Sequence, residues 1–283
     1  MRYVFCLSLI IALFGGAQAA CPSPESVAAL ASQWRDMQPI SGLDKDMSPT
    51  DAACARQLLV GELVRSEGRI VGYKAGLTNA AVQKRFGTDA PVRGILFEKM
   101  LLADGAELPA KFGTRPVFEA DLVVEVKDEG INQARTPAEV LPHLSALIPF
   151  IELPDLLLDP GETPNSATLT AINAGARLGI LGRRIAPMPA HLDTLASMSV
   201  VVRDVADGNR ELARGPGSAI LEHPLNAVIW LARDLARNGR QLKAGDLLSL
   251  GSFMPLMPPK PGMNIRVSYE GLPGMPGVGV KFK

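Results

Sequence analysis

From residue 69 to the C-terminus, short apolar segments of strand composition follow one another without regular alternation with helices, and that succession restricts the fold more than any other feature. Residues 69–75, 118–126, 147–153, 174–181, 198–205, 246–253, 263–269 and 278–282 read as strands. One long helix interrupts them. It starts near Pro224, buries Leu225, Val228, Ile229, Ala232 and Leu235, and stops at Asn238-Gly239. A doubly wound sheet or a TIM barrel needs strands followed regularly by helices, so the pattern argues instead for a mixed, mostly antiparallel α+β body. Glycines and prolines crowd into 251–279, where tight turns must join short strands.

The part before residue 69 reads helical. Ser23 can cap a helix with Pro24 at its first position, running to about Met37 with Val27, Leu30 and Trp34 at helical spacing. Ser48-Pro49-Thr50-Asp51 repeats that start, and Leu58, Leu59, Leu63 and Val64 continue an apolar face until Gly68. Further on, Thr78-Asn79 can cap a helix through Phe86, and Thr136-Pro137-Ala138-Glu139 has the form of a capping box shortened by Pro142. No linker-like stretch separates two domains, so residues 20–283 are expected to form one, helical over about 20–68 and β-rich over about 69–283.

The first nineteen residues read as a targeting segment. Arg2 precedes an apolar run from Val4 to Phe14, Gly15-Gly16 break it, and Ala17-Gln18-Ala19 has the small-x-small pattern of a cleavage site. The run is shorter than the roughly 20 residues a membrane span needs. Gln18 stands where a lipobox before Cys21 would want an apolar residue, so lipidation is the weaker reading. Export leaves two cysteines, Cys21 and Cys54, which in an oxidising compartment are a disulfide candidate; the alternative is two free thiols. A periplasmic or secreted location follows, with no membrane attachment once the segment is cleaved. The formal net charge is zero, which gives no footing for nucleic acid or an anionic membrane surface.

Glu119-Ala120-Asp121 is the most informative local feature for chemistry. Residues two apart on a strand point to one face about 6.5–7 Å apart, and these carboxylates stand in an apolar segment where they need a shared counter-ion. A hard dication such as Mg²⁺ or Mn²⁺ is one answer; the solvated face of an edge strand is the other. Glu152 lies in the apolar run Leu147 to Leu153, where a lone carboxylate is costly unless paired or coordinated. Lys74, on a short strand closed by Gly76, is either a surface lysine or a cation facing a developing enolate. Gly251-Ser252-Phe253 ends a strand with a small hydroxyl that either forms a turn or meets a ligand. His143, His191 and His223 are scattered, and no nucleophile elbow, Cys-His pair or nucleotide loop is present.

These residues resemble a known pattern. Gly72-Tyr73-Lys74-Ala75-Gly76-Leu77-Thr78 is similar to the signature of the 2-keto-4-pentenoate hydratases and 4-oxalocrotonate decarboxylases, a branch of the fumarylacetoacetate hydrolase family. Glu119-Ala120-Asp121 falls where that family carries Glu-x-Glu, Glu152 where it carries a third metal ligand, and His223 to Ala227 with Trp230 to Ala232 resembles its HPLNAxxWLA helix. The resemblance spans nearly the whole chain after the targeting segment. It implies a mixed β-roll with a helical N-terminal part and a divalent metal, Mg²⁺ or Mn²⁺, on Glu119, Asp121 and Glu152. It further implies Lys74 as the catalytic cation, with Ser252, Asn173 and Leu77 at the substrate. The implied substrates are short 2-hydroxy-dienoic or 2-oxo acids, and the implied assembly is a homo-oligomer.

Four departures stand out, one being the segment from Leu156 to Asn165, which differs from the family's loop after the third ligand. Val92 in Pro91-Val92-Arg93-Gly94 replaces an acidic residue, Ile172-Asn173 keeps only the asparagine of an Asp-Asn pair, and Asp121 is one methylene shorter than Glu. They point to a changed substrate or reduced activity. The first expectation is a metal-dependent hydratase. The alternatives are a decarboxylase or C–C hydrolase of the same family, the latter lacking a suitably placed histidine base, or an exported binding protein that keeps the pocket without the chemistry.

Overall fold

The computed structural model describes residues 21–283; the expected signal segment, residues 1–19, lies outside them. Helix α1 (Pro24–Arg35) begins where the Ser23 hydroxyl accepts from Ser26 N at 3.2 Å. Helix α2 (Pro49–Glu67) begins the same way at Ser48 and ends at Gly68, whose φ of 83° suits glycine. The pair packs Val27, Leu30, Trp34, Leu59 and Leu63 against Ile95, Phe97, Leu169 and Ile172 of the β-rich part. Cys21 and Cys54 are disulfide-bonded, with Cα atoms 5.6 Å apart.

That bridge closes a loop with a sequence separation of 33, which in the chain-entropy account stabilises by about 3–4 kcal/mol. Cys54→Ser is therefore expected to lower the unfolding free energy in urea by about 3 kcal/mol. A loss below half of that would show that the helical pair is held by packing alone.

The strands in chain order are β1 (Ile70–Gly76), β2 (Val92–Phe97), β3 (Leu101–Ala103), β4 (Glu107–Leu108), β5 (Glu119–Val126) and β6 (Leu144–Leu153). They continue with β7 (Leu178–Leu181), β8 (Ser199–Asp204), β9 (Arg210–Pro216), β10 (Leu247–Ser249), β11 (Asn264–Glu270) and β12 (Val278–Phe282). The remaining helices are α3 (Ala80–Arg85), α4 (Pro137–Val140), α5 (Ser166–Ala171), α6 (His191–Ser197) and α7 (Leu225–Arg237). One sheet runs β2-β1-β10-β5-β6-β7-β3 and the other β4-β12-β11-β8-β9, with most neighbours antiparallel. Between them lies the main core, where Phe118, Leu122, Val124 and Ile151 meet Val200, Val202, Ile265, Val280 and the apolar face of α7.

Strand β5 is buried on both sides, which explains its unbroken apolar texture. Ala120, Leu122, Val124 and Val126 enter the main core, while Val123 joins Ile148, Phe150 and Leu247 on the opposite face. Glu119 and Asp121 belong to that second face by the two-residue period.

Several expected bounds change. The strand expected over 246–253 stops at Ser249, because Leu250 N and Gly251 N turn to the Asp121 carboxylate. The strand expected from 174 starts at Leu178, because Asn173, Ala174 and Gly175 take φ of 57°, 52° and 66°, a left-handed turn. At Thr136 the box is open: Glu139 reaches Arg135 N at 2.7 Å instead of the cap's own N–H. Strands β2 and β9 had no apolar alternation to reveal them, since Arg93 and Gly94 interrupt one and the other is a largely exposed edge.

Candidate active site

Antiparallel pairing of β5 with β6 sets Glu119 directly opposite Glu152 and Asp121 opposite Phe150. Lys74 comes from β1, two strands away, in register with Ser249 of β10 and Gly94 of β2. All four side chains are buried: Lys74 is 3% exposed, Glu119 8%, Asp121 0% and Glu152 1%. The solvated readings of these residues therefore fall.

The Lys74 ammonium pairs with Glu152 Oε1 and donates to Ala174 O at 3.0 Å. Burial alone would lower it, yet Glu152 and Glu119 outweigh that and hold it above the ordinary lysine value. Neither Glu152 oxygen has a hydrogen-bond donor of proper geometry. Burial, then repulsion from Glu152, raises Glu119 well above its usual range. The same causes, opposed by the Ser249 hydroxyl, push Asp121 up to about 8.

Asp121, the third expected ligand, is hydrogen-bonded to the end of β10. Its Oδ2 accepts from the Ser249 hydroxyl and its Oδ1 from Leu250 N at 3.1 Å and Gly251 N at 2.9 Å. Among the described residues, no three acidic, histidine or cysteine side chains already close around one metal position. Glu119 and Glu152 fit a hard dication: they are oxygen donors, buried and facing, and beyond the Lys74 ion pair no donor satisfies the Glu152 oxygens. Asp121 lies on the same strand face as Glu119, and its oxygens brace the end of β10.

Two supports hold this arrangement. A Cβ at Gly94 would come within 2.7 Å of Lys74 Cγ and 2.8 Å of Asn173 O, so only glycine lets the lysine stem pass. Tyr269 reaches across from β11; its hydroxyl donates to Asp121 O and accepts from Phe150 N at 3.0 Å, behind the acidic pair. Tyr269→Phe removes a hydroxyl that bonds both members of the Asp121–Phe150 ladder pair, and is expected to cost about 1–3 kcal/mol in denaturant unfolding. A change under 0.5 kcal/mol would mean that β5 and β6 close on each other without it.

The expected substrate contacts are placed differently from one another. Asn173 is wholly buried and spends both ends of its amide on Ile95, accepting from its N–H at 2.8 Å and donating to its carbonyl at 2.9 Å. It fixes the left-handed turn that presents the Ala174 carbonyl to Lys74. Ser252 donates to Met254 O at 2.6 Å and forms a turn, half-buried. Leu77 follows β1 with a φ of 56° and is half-buried. The histidines are occupied elsewhere: His143 with Asp128, His191 with Pro273 O and Met188 N, His223 with Leu192 O and Leu225 N.

No family model matches the chain. It is 34% identical over 254 residues to 2-keto-4-pentenoate hydratase 2 of Dechloromonas aromatica, covering 88% of this chain and 95% of that protein. The chain belongs to this hydratase branch of the fumarylacetoacetate hydrolase family. As an enzyme of the branch it is also 30% identical over 205 residues to a 4-oxalocrotonate decarboxylase of Pseudomonas putida, covering 72% of this chain and 75% of that one. The structure of 4-oxalocrotonate decarboxylase from Pseudomonas putida G7, complexed with magnesium and adipate, matches with a TM-score of 0.78 at 26% identity, over 93% of this chain and 99% of that one. Fumarylpyruvate hydrolase from Pseudomonas aeruginosa, in complex with Mn²⁺ and pyruvate, shares the fold at 13% identity and a TM-score of 0.53, over 74% of this chain and 88% of that one.

Within this hydratase branch the departures find packing roles. Val92 is 8% exposed, with its Cγ2 3.2 Å from where a Gly76 Cβ would stand, and Ile172 is wholly buried under α1 and α2. Arg93 turns away to pair with Asp234 of α7 at 2.6 Å. Ser249 and Tyr269 escaped the sequence reading because a serine inside a strand and a tyrosine near a strand end carry no distinguishing pattern.

Proposed function

We propose that the chain is a divalent-cation-dependent hydratase acting on a small 2-hydroxy-dienoic or 2-oxo acid. The observation that carries this reading is the buried Lys74–Glu152–Glu119 cluster, in which two facing carboxylates share a single ammonium. Glu119 and Glu152 would hold Mg²⁺ or Mn²⁺, which supplies stabilisation of negative charge on the substrate's carboxylate and 2-oxygen. Lys74 adds a fixed positive charge where an enolate develops and holds a proton at Nζ, steadied by the Ala174 carbonyl. The sheet walls exclude bulk water, which strengthens each of these interactions. In the overall reaction the distal double bond takes up one water, a proton on one carbon and a hydroxyl on the other.

The test is direct: 2-hydroxypenta-2,4-dienoate is followed by ultraviolet absorbance with Mn²⁺ or Mg²⁺ present. Loss of the diene band that chelator abolishes is expected. An unchanged band under saturating metal contradicts the hydratase reading. Decarboxylation of a 2-oxo dicarboxylic acid is the second reading, favoured by the structural likeness to 4-oxalocrotonate decarboxylase.

Metal uptake should depend on pH. With Asp121 raised to about 8 and Glu119 above its ordinary value, the metal-free cluster holds protons at neutral pH that a dication must displace. Mn²⁺ affinity is expected to rise with pH up to about 8, and calorimetric heats to vary with the ionisation enthalpy of the buffer. Heats independent of the buffer would contradict it.

Export of the mature chain is part of the proposal, and the Cys21–Cys54 bridge supports it. N-terminal sequencing of the protein from its own host should then begin near Ala20; a chain that still carries residues 1–19 argues against export.

A further inference from the structure

A second cluster of charge stands on the face of β2 turned away from Lys74. Gly94 lies opposite Lys74 in the β1–β2 register and leaves it room. By the two-residue period the neighbouring Arg93 points the other way, toward α7. There it pairs with Asp234 at 2.6 Å, and its guanidinium carbon lies 5.8 Å from the centre of the Tyr73 ring. Arg56 arrives from the buried side of α2, and its Nη1 donates to the Arg93 carbonyl at 2.9 Å. Arg56 is 7% exposed and Arg93 4%.

Arg56 is a buried cation without a counter-ion. Among the described residues Asp234 pairs with Arg93 and no carboxylate pairs with Arg56, while residues 1–20 contain neither aspartate nor glutamate. Asp246, which acts on Tyr73, is engaged with Lys243 N at 2.9 Å. Arg240, half-buried in the segment after α7, adds to the excess of positive charge. Burial first, then repulsion from Arg93, opposed in part by Asp234, pushes the Arg56 guanidinium down to about 10. A buried charge is costly unless it is paired. No Arg56 nitrogen is both sealed from solvent and unbonded, so its remaining N–H donors keep an opening to the outside.

We propose that Arg56, Arg93 and Arg240 form a binding site for an oxyanion, separate from the acidic cluster, where α2, β2 and the end of α7 meet. Guanidinium forks match the oxygens of phosphates and carboxylates, and Arg56 has donors to spare. The oxyanion is either free in solution, as a phosphate, or a carboxylate inserted by a second copy of this chain. From either source it would join three elements and steady the strand that carries Gly94.

Inorganic phosphate is the probe, titrated into the protein without added metal, with chloride holding the ionic strength constant. It should raise Tm saturably by about 2–4 °C. Arg56→Gln and Arg240→Gln should each lose most of that rise. Arg240 lends the fold only its backbone N–H, to Leu235 O, so its variant reports on charge even where Arg56→Gln fails to fold. An equal rise in the wild type and Arg240→Gln is the general effect of an excluded salt and overturns the proposal. Where phosphate has no effect, sedimentation over a range of protein concentrations decides. An assembly that Arg240→Gln dissociates assigns the oxyanion to a second copy's carboxylate. A wild type that ignores phosphate and whose assembly the variant leaves unchanged overturns the proposal.

Discussion

Replacing Lys74 by methionine is expected to lower kcat by about 10³-fold while leaving Mn²⁺ binding intact. The ammonium is the one cation among the buried cluster residues, so its removal takes away the positive charge and proton aimed at the reacting centre. Methionine keeps most of the stem volume that threads past Gly94, so packing changes little. Because the lysine competes with a metal for Glu152, Mn²⁺ should bind the variant at least as tightly as the wild type. Retained turnover would remove Lys74 from the chemistry. Lost metal binding would show that the ammonium organises the carboxylates instead.

Glu152→Ala has the converse signature. At a free Mn²⁺ concentration of about 100 times its dissociation constant, the wild type should gain about 2.7 kcal/mol of stability from the metal. The variant should gain none, because Glu152 is one of the two carboxylates proposed to hold the metal, and its oxygens meet no donor in the cluster but the Lys74 ammonium. It should also be inactive at any accessible metal concentration. A thermal-shift titration with Mn²⁺ reads the difference without any substrate. An undiminished shift in the variant would move the metal site elsewhere.

What the sequence showed and what it hid have a common physical cause. Glu119, Glu152 and Lys74 stood out because charged residues inside apolar strands are costly, and the cost is visible in one dimension. The caps at Ser23 and Ser48 and the long helix from Leu225 were legible because their signals are local. The direction of Asp121 was not, since it depends on Ser249, Leu250 and Gly251, some 130 residues away, arriving through the β5–β10 pairing. Asn173 likewise looked like the approach to a strand and a substrate contact. Its amide instead clasps Ile95, 78 positions earlier, and shapes the turn beside Lys74.

The shorter acid at position 121 gives the site its individual character. Asp121 braces β10 through Ser249, Leu250 and Gly251, while Glu119 and Glu152 face each other across β5 and β6.

Under the proposed function, Glu119 and Glu152 together hold one hard cation beside Lys74. Crystals grown with Mn²⁺ and measured for anomalous scattering test it most directly. One peak is expected within about 2.0–2.3 Å of an oxygen from each glutamate, with Asp121 still bonded to Ser249. A peak at any other group of residues, or none at saturating Mn²⁺, would contradict the account.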